Sequence, residues 1–182
     1  MKILTTAIEG VLILEPPVFG DERGYFLETW HDPRYRELGI VGPFVQDNES
    51  LSRRGVLRGL HYQLHHPQGK LVRVVLGEVF DVAVDIRRGS PTFGRWVGTR
   101  LDGGSKRQVW IPPGMAHGFC VLSETAIFSY KCTELYLPED ERGVLWNDPE
   151  IGIEWPLDEP LLSGKDRLFP PLAEAELPEY RG

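Results

Sequence analysis

Apolar and polar residues alternate along much of this chain with the two-residue period of a β-strand. The clearest case is 79–87, where Phe80, Val82, Val84 and Ile86 share one face and Asp81, Ala83, Asp85 and Arg87 the other. That pattern predicts a half-buried strand, apolar face on a core and polar face in water. Residues 125–136 alternate too, with Ala126, Phe128, Tyr130 and Cys132 against Ile127, Ser129, Lys131 and Thr133. Further strands are predicted at 2–8, 11–15, 24–30, 55–63, 70–76, 95–101, 107–111 and 117–122. Turn residues separate them, among them Gly77-Glu78, Gly89-Ser90-Pro91, Asp102-Gly103-Gly104 and Pro112-Pro113-Gly114. One short helix is predicted, opened by Asp32-Pro33 and stopped by Gly39. Many short strands with regular turns predict an all-β sandwich or barrel. After Trp155-Pro156 the alternation fades into a Pro-rich, acidic stretch. The chain therefore reads as one domain, a barrel over about 1–155 with a tail over about 156–182 laid across it.

At 182 residues, with 41% apolar and 26% charged side chains, the chain can bury a core without staples. Its 20 glycines and 15 prolines fit a turn-rich fold. No apolar run approaches the roughly 20 residues of a membrane span, and the first residues carry no secretory signal. Cys120 and Cys132 lie in apolar strand segments and form no CxxC pair, so both are expected to be reduced core thiols in a cytoplasmic protein. The net charge of −7 argues against a nucleic-acid partner. Its distribution is uneven. Residues 53–107 hold eleven Lys/Arg against four Asp/Glu, and residues 130–182 hold five against thirteen. The basic middle either draws a small anion such as a phosphate ester or decorates the solvent faces of strands.

Two segments carry candidate chemistry. One is Gly59-Leu60-His61-Tyr62-Gln63, followed by Gly69-Lys70-Leu71-Val72-Arg73 and Gly77; the other is Pro112-Pro113-Gly114-Met115-Ala116-His117-Gly118. Both resemble the half-motifs of the cupin jelly roll, whose His and Glu residues converge on a divalent ion. Here Gln63 stands where a second His is expected and Lys70 is nearest the Glu position. An ammonium repels a divalent cation and an amide is a poor substitute for imidazole, so no metal is expected. On spacing alone, Tyr130 reads equally well as a core tyrosine and His61 as a satisfied core histidine. Together with Lys70 they suit proton removal next to a carbonyl. A base and an acid work on opposite faces of a carbon, and a cation stabilises the enolate oxygen.

The ordered set of motifs resembles the dTDP-4-dehydrorhamnose 3,5-epimerase family. It includes Asp21-x-Arg23-Gly24-x-Phe26-x-Glu28, Gln46-Asp47-Asn48-Glu49-Ser50, Gly55-Val56-Leu57-Arg58-Gly59-Leu60-His61, Tyr130-Lys131-Cys132-Thr133 and Ser163-Gly164-Lys165-Asp166. The resemblance implies a cupin-like jelly roll and a cofactor-independent isomerase. Such an enzyme epimerises C3 and C5 of dTDP-4-keto-6-deoxyglucose to dTDP-4-keto-L-rhamnose. It implies His61 as general base, Asp166 as its orienting carboxylate, Tyr130 as proton donor on the other face and Lys70 beside the C4 oxygen. It assigns substrate binding to Arg23, Glu28, Gln46, Asp47, Asn48, Arg58, His117, Glu141 and Lys165, with Tyr136 stacking on the thymine. The family dimerises, and Arg23 to Glu28 are expected to serve the neighbouring subunit's pocket. Three readings compete: an epimerase that inverts one centre, a metal cupin such as a dioxygenase, and a non-catalytic sugar-nucleotide binding module.

One conflict stands in the pattern. Arg58 and His61 are three residues apart, so a regular strand turns them to opposite faces. Both reach one pocket only if the strand bulges, and Gly59 supplies that freedom.

Overall fold

The computed structural model describes residues 1–180. Thirteen strands, one short α-helix and one turn of 3₁₀ helix at Leu172–Glu174 make up its regular structure. The strands are β1 (Lys2–Thr5), β2 (Leu12–Glu15), β3 (Val18–Asp21), β4 (Gly24–Leu27), β5 (Gln46–Arg53), β6 (Leu57–Gln63) and β7 (Lys70–Leu76). They continue with β8 (Glu78–Asp85), β9 (Trp96–Asp102), β10 (Gln108–Ile111), β11 (Met115–Val121), β12 (Thr125–Cys132) and β13 (Glu141–Gly143). Two antiparallel sheets form a cupin-like jelly roll. One runs β1-β2-β10-β7-β12-β5 and the other β13-β6-β11-β8-β9, while β3 and β4 pair as a separate hairpin. The helix α1 covers Asp32–Arg36, is opened by Asp32-Pro33 as expected and yields to Gly39 at φ 82°.

Between the sheets lies an apolar core. Val72, Val74, Val109, Ala126 and Phe128 of the six-stranded sheet meet Val79, Ala83, Leu101, Met115, Phe119 and Val121 of the other. The inward face of β12 is the one its alternation predicts.

Val82, Val84 and Ile86 lie on a core, as their alternation predicts, but this core is not the barrel interior. They join Leu60, Tyr62 and Ala116 on the outer face of the five-stranded sheet, under Val144, Ile151, Leu172 and Ala175. Asp81, Ala83 and Asp85 of the other face are buried as well. The strand is covered on both sides because the chain after β13 lies across it, and its two inward carboxylates each have a dedicated partner. The other sheet is covered similarly. Tyr35, Ile40, Trp30 and Phe44 pack on Leu14, Leu71 and Trp110. Both cysteines are free and buried.

Asp85 ties this architecture together at one end. It is fully buried and accepts hydrogen bonds from Arg87 at 2.8 and 2.9 Å, Ser90 at 2.5 Å and Thr92 at 2.6 Å. Arg87 in turn lies 4.9 Å from the ring centre of Tyr180, and Arg88 exchanges backbone hydrogen bonds with Pro178 and Tyr180. Burial alone raises the Asp85 pKa, but the Arg87, Ser90 and Thr92 donors outweigh it and bring it from 3.8 to about 2. A carboxyl held below its unfolded value stabilises the fold above that value, and the contribution fades as pH falls through the folded one. Asp85→Asn is therefore expected to cost about 2 kcal/mol at neutral pH, from the pKa difference alone. Urea unfolding of both proteins from pH 7 down to pH 2 checks this. The gap between them stays constant to about pH 4 and then narrows.

Candidate active site

The barrel interior turns polar at one end. A cavity of about 250 Å³ opens there, lined by Gln46, Asn48, His61, Gln63, Gln68, Lys70, Tyr130, Tyr136 and Glu141. Both sheets contribute. Register explains the six-stranded side: Cys132 stands between Gln46 and Lys70, and Tyr130 between Asn48 and Val72. Each inward row thus steps from an apolar core residue to a polar one at the mouth.

The five-stranded side depends on a bulge. His117 of β11 pairs with His61 of β6, and Phe119 pairs with Arg58. Two steps along β11 therefore match three along β6. The extra residue turns both Arg58 and His61 inward and resolves the conflict in the sequence pattern. Gly59 makes the room, with φ 137°. A Cβ there would lie 2.5 Å from the Gly118 Cα, so only glycine fits so close to the neighbouring strand. Arg58 then reaches Ser52 on β5, with hydrogen bonds of 3.0 and 3.1 Å.

His61 Nε2 is 2.6 Å from Asp166 Oδ1. Asp166 sits 105 residues further along the chain, in a turn where its backbone N–H donates to Ser163 Oγ at 3.1 Å. Burial raises the Asp166 pKa, but the His61 hydrogen bond and charge, the Ser163 hydroxyl and Lys165 outweigh it and hold the carboxyl below its usual range. An ionised Asp166 fixes the neutral imidazole with its proton on Nε2 and the lone pair on Nδ1. The Phe169 ring stands edge-on to His61, centroids 5.6 Å apart.

Lys70 and Tyr130 complete the cavity's chemistry. Burial lowers the Lys70 pKa, against the raising influence of Cys132, Glu141 and Asp81. Burial raises that of Tyr130. At the mouth, Glu141 Oε2 accepts from Tyr136 Oη at 2.9 Å and from Lys165 Nζ at 2.6 Å. Burial pushes the Glu141 pKa up, but Lys165 and Tyr136 outweigh it and keep it low. Gln63 is committed elsewhere. Its amide donates to His66 O and Leu135 O and accepts from the Leu137 N–H, clipping two loops together. Arg58, Lys165 and Asp166 line a second, adjoining cavity behind His61.

Four residues expected at the site lie elsewhere in this chain. Asp47 is on the opposite face of β5 from Gln46 and Asn48, exposed and paired with Lys131 at 2.9 Å, because alternation turns every second side chain away. His117 faces inward but sits beneath the pocket, not in its lining. It is buried, bonded to Asp81 at 2.8 Å and stacked on Phe128. Arg23 is on the β3–β4 hairpin, paired with Asp21, and Glu28 is paired with Arg34. The sequence assigns no role to Ser52, Gln68, Asp81, Ser163 and Phe169. Asp81 left a signal as an acidic residue inside an apolar strand, and Ser163 as the first residue of the motif that ends in Asp166.

The sequence pattern of the dTDP-4-dehydrorhamnose 3,5-epimerase family matches residues 5–174. A dTDP-4-dehydrorhamnose 3,5-epimerase of Pseudomonas aeruginosa is 60% identical over 178 residues, 97% of this chain and 98% of that protein. The crystal structure of the dTDP-6-deoxy-D-glucose-3,5-epimerase of Legionella pneumophila, in complex with dTDP-4-keto-L-rhamnose, superposes with a TM-score of 0.97. That protein is 54% identical, and the match covers 100% of this chain and 99% of that one. A dTDP-4-dehydrorhamnose 3-epimerase of Streptomyces niveus is 45% identical over 186 residues, 99% of this chain and 90% of that protein. From its matched pattern and its full-length relatives, the chain belongs to the dTDP-4-dehydrorhamnose 3,5-epimerase family.

Proposed function

We propose that the chain epimerises C3 and C5 of dTDP-4-keto-6-deoxyglucose without a cofactor, giving dTDP-4-keto-L-rhamnose. The observation that carries the reading is the 2.6 Å pairing of His61 with Asp166 on a cavity that Lys70 and Tyr130 also line. His61 Nδ1 takes the proton from the carbon next to the C4 carbonyl. Asp166 stabilises the imidazolium that forms. The Lys70 ammonium stabilises the enolate oxygen, and a partly desolvated cavity strengthens that attraction. Tyr130, kept neutral by burial, returns a proton on the other face. Exchange with solvent then takes the proton from His61 and restores that of Tyr130, and repetition at the second carbon completes the double inversion. Gln46, Asn48, Arg58, Tyr136, Glu141 and Lys165 hold the nucleotide. The cations suit its pyrophosphate oxygens, and Tyr136 offers a flat face to the base.

The reading includes a cytoplasmic homodimer in which Arg23 and Glu28 serve the partner's pocket. Phe19, Tyr25 and Phe26 of the same hairpin are 58% or more exposed, as expected of residues that a second chain covers. Among the described residues, no helix is long and apolar enough to cross a membrane. The 3-epimerase relative supplies the second reading, inversion at one carbon only.

Proton NMR of the substrate in D2O, with a coupled reductase trapping product, tests the reading. Loss of both the C3 and C5 signals with the doubly inverted product is expected. A singly inverted product selects the second reading, and no exchange removes the enolate mechanism. His61→Ala is expected to abolish exchange while dTDP affinity, measured by calorimetry, changes less than about threefold. Parallel loss of binding overturns the base assignment. Tyr130→Phe is expected to retain exchange and lose inverted product.

The alkaline limb of the rate profile is assigned to Lys70, since burial draws its pKa down and pushes that of Tyr130 up. Residual activity of Lys70→Arg is expected to lack the wild-type limb in the pH profile. For the dimer, inactive Arg23→Ala and His61→Ala chains are mixed after partial unfolding and refolding. Equal mixing restores about a quarter of wild-type activity if Arg23 crosses to the partner's pocket, since half the dimers then hold one intact site.

A further inference from the structure

Gly143 of β13 stands directly opposite His61 in the strand register. A Cβ built on it would lie 2.4, 2.5 and 2.6 Å from three ring atoms of Phe169. The Phe169 ring therefore rests on bare backbone, in a seat that no other residue at 143 leaves open. From that seat it meets the His61 ring edge-on at 5.6 Å and an interplanar angle of 75°.

The segment that delivers Asp166 is pinned on both sides of it. Leu161 forms a parallel bridge with Val56 and exchanges backbone hydrogen bonds with Gly55 and Leu57. Pro170 accepts from the Leu145 N–H at 2.8 Å, just beyond β13. Between these anchors two side chains are placed on the imidazole: Asp166 at Nε2, and Phe169 against the ring. A single hydrogen bond leaves an imidazole free to swing about it. A ring packed against it removes that freedom and keeps water from the Nε2···Oδ1 contact.

We propose that Phe169, seated on Gly143, is a positioning residue for the base of this reaction. It is not itself among the residues that line the pocket. It acts through His61, and so rests on the proposed role of that residue. Enlarging residue 143 and shrinking residue 169 then damage the same thing by opposite routes: one lifts the ring off its seat, the other removes it.

Phe169→Ala, Phe169→Leu, Gly143→Ala and the double variant Gly143→Ala/Phe169→Leu test the proposal. Exchange rate, dTDP affinity and the His61 ring nitrogen signals are measured for each full-length protein. Phe169→Ala and Gly143→Ala are each expected to lower the exchange rate by about 10- to 100-fold, with dTDP affinity within about threefold of wild type. Their His61 signals are expected to move from a single Nε2–H tautomer toward the average of two. Phe169→Leu recovers part of the loss. In the Gly143→Ala background it costs little further, because the two changes act on one contact. Wild-type exchange and tautomer in Phe169→Ala overturns the proposal. So does a rate loss without any change at the His61 nitrogens, or fully additive losses in the double variant. The His61→Ala result separates this from failure of the base assignment: if that variant still exchanges, the base is elsewhere, whatever Phe169 does.

Discussion

The position of His61 depends on one residue more in β6 than in the strand beside it. Without the bulge, pairing with β11 turns Arg58 outward whenever His61 turns inward, and the imidazole and the guanidinium never share a side. The bulge needs a backbone with no side chain on either strand at the crossing, and Gly59 and Gly118 meet that need. The rest of the pocket follows from ordinary strand periodicity. Lys70, Tyr130, Gln46 and Asn48 lie on the inward faces near one end of their strands, and they line the cavity there.

The electrostatics follow from the same placement. Burial pushes Lys70 toward neutrality and Tyr130 toward retention of its proton. The carboxylates that accompany the cations stay ionised through specific donors despite their burial: Asp166 through His61 and Ser163, Glu141 through Lys165 and Tyr136. Both carboxylates are thus matched by donors at short range, although the chain as a whole carries −7. The site draws on both charge-biased portions of the sequence, Lys165 and Glu141 from the acidic one and Lys70 and Arg58 from the basic one.

Periodicity made some elements plain. The strand predicted at 70–76 matches β7 in both bounds, and the inward face of β12 is the one its alternation indicates. The strand β5 escaped notice because its two faces are both polar. Gln46, Asn48, Ser50 and Ser52 face the pocket side, and Asp47, Glu49 and Arg53 an exposed edge. A strand that lines a wet cavity on one side and solvent on the other has no hydrophobic period to read. The burial of the acidic face of β8 was not legible for a different reason. Its apolar row is covered by chain that comes much later, and its acidic row is buried with His117 and with Arg87. Asp166 is invisible to any local pattern, because only folding brings it across 105 residues to its partner. Resemblance to the family drew attention to it.

The cover over the five-stranded sheet has a consequence for how the protein comes into being. Strands β6, β8 and β11 are synthesised with an apolar outer surface, and the residues that hide it, Leu172 and Ala175 among them, follow near the end. Synthesis proceeds from the N-terminus at a finite pace. For that interval the nascent barrel presents a bare greasy wall to the cell, and His61 lacks its Asp166 partner. Shielding of the wall and closure of the His61–Asp166 pair therefore both wait on chain made after β13.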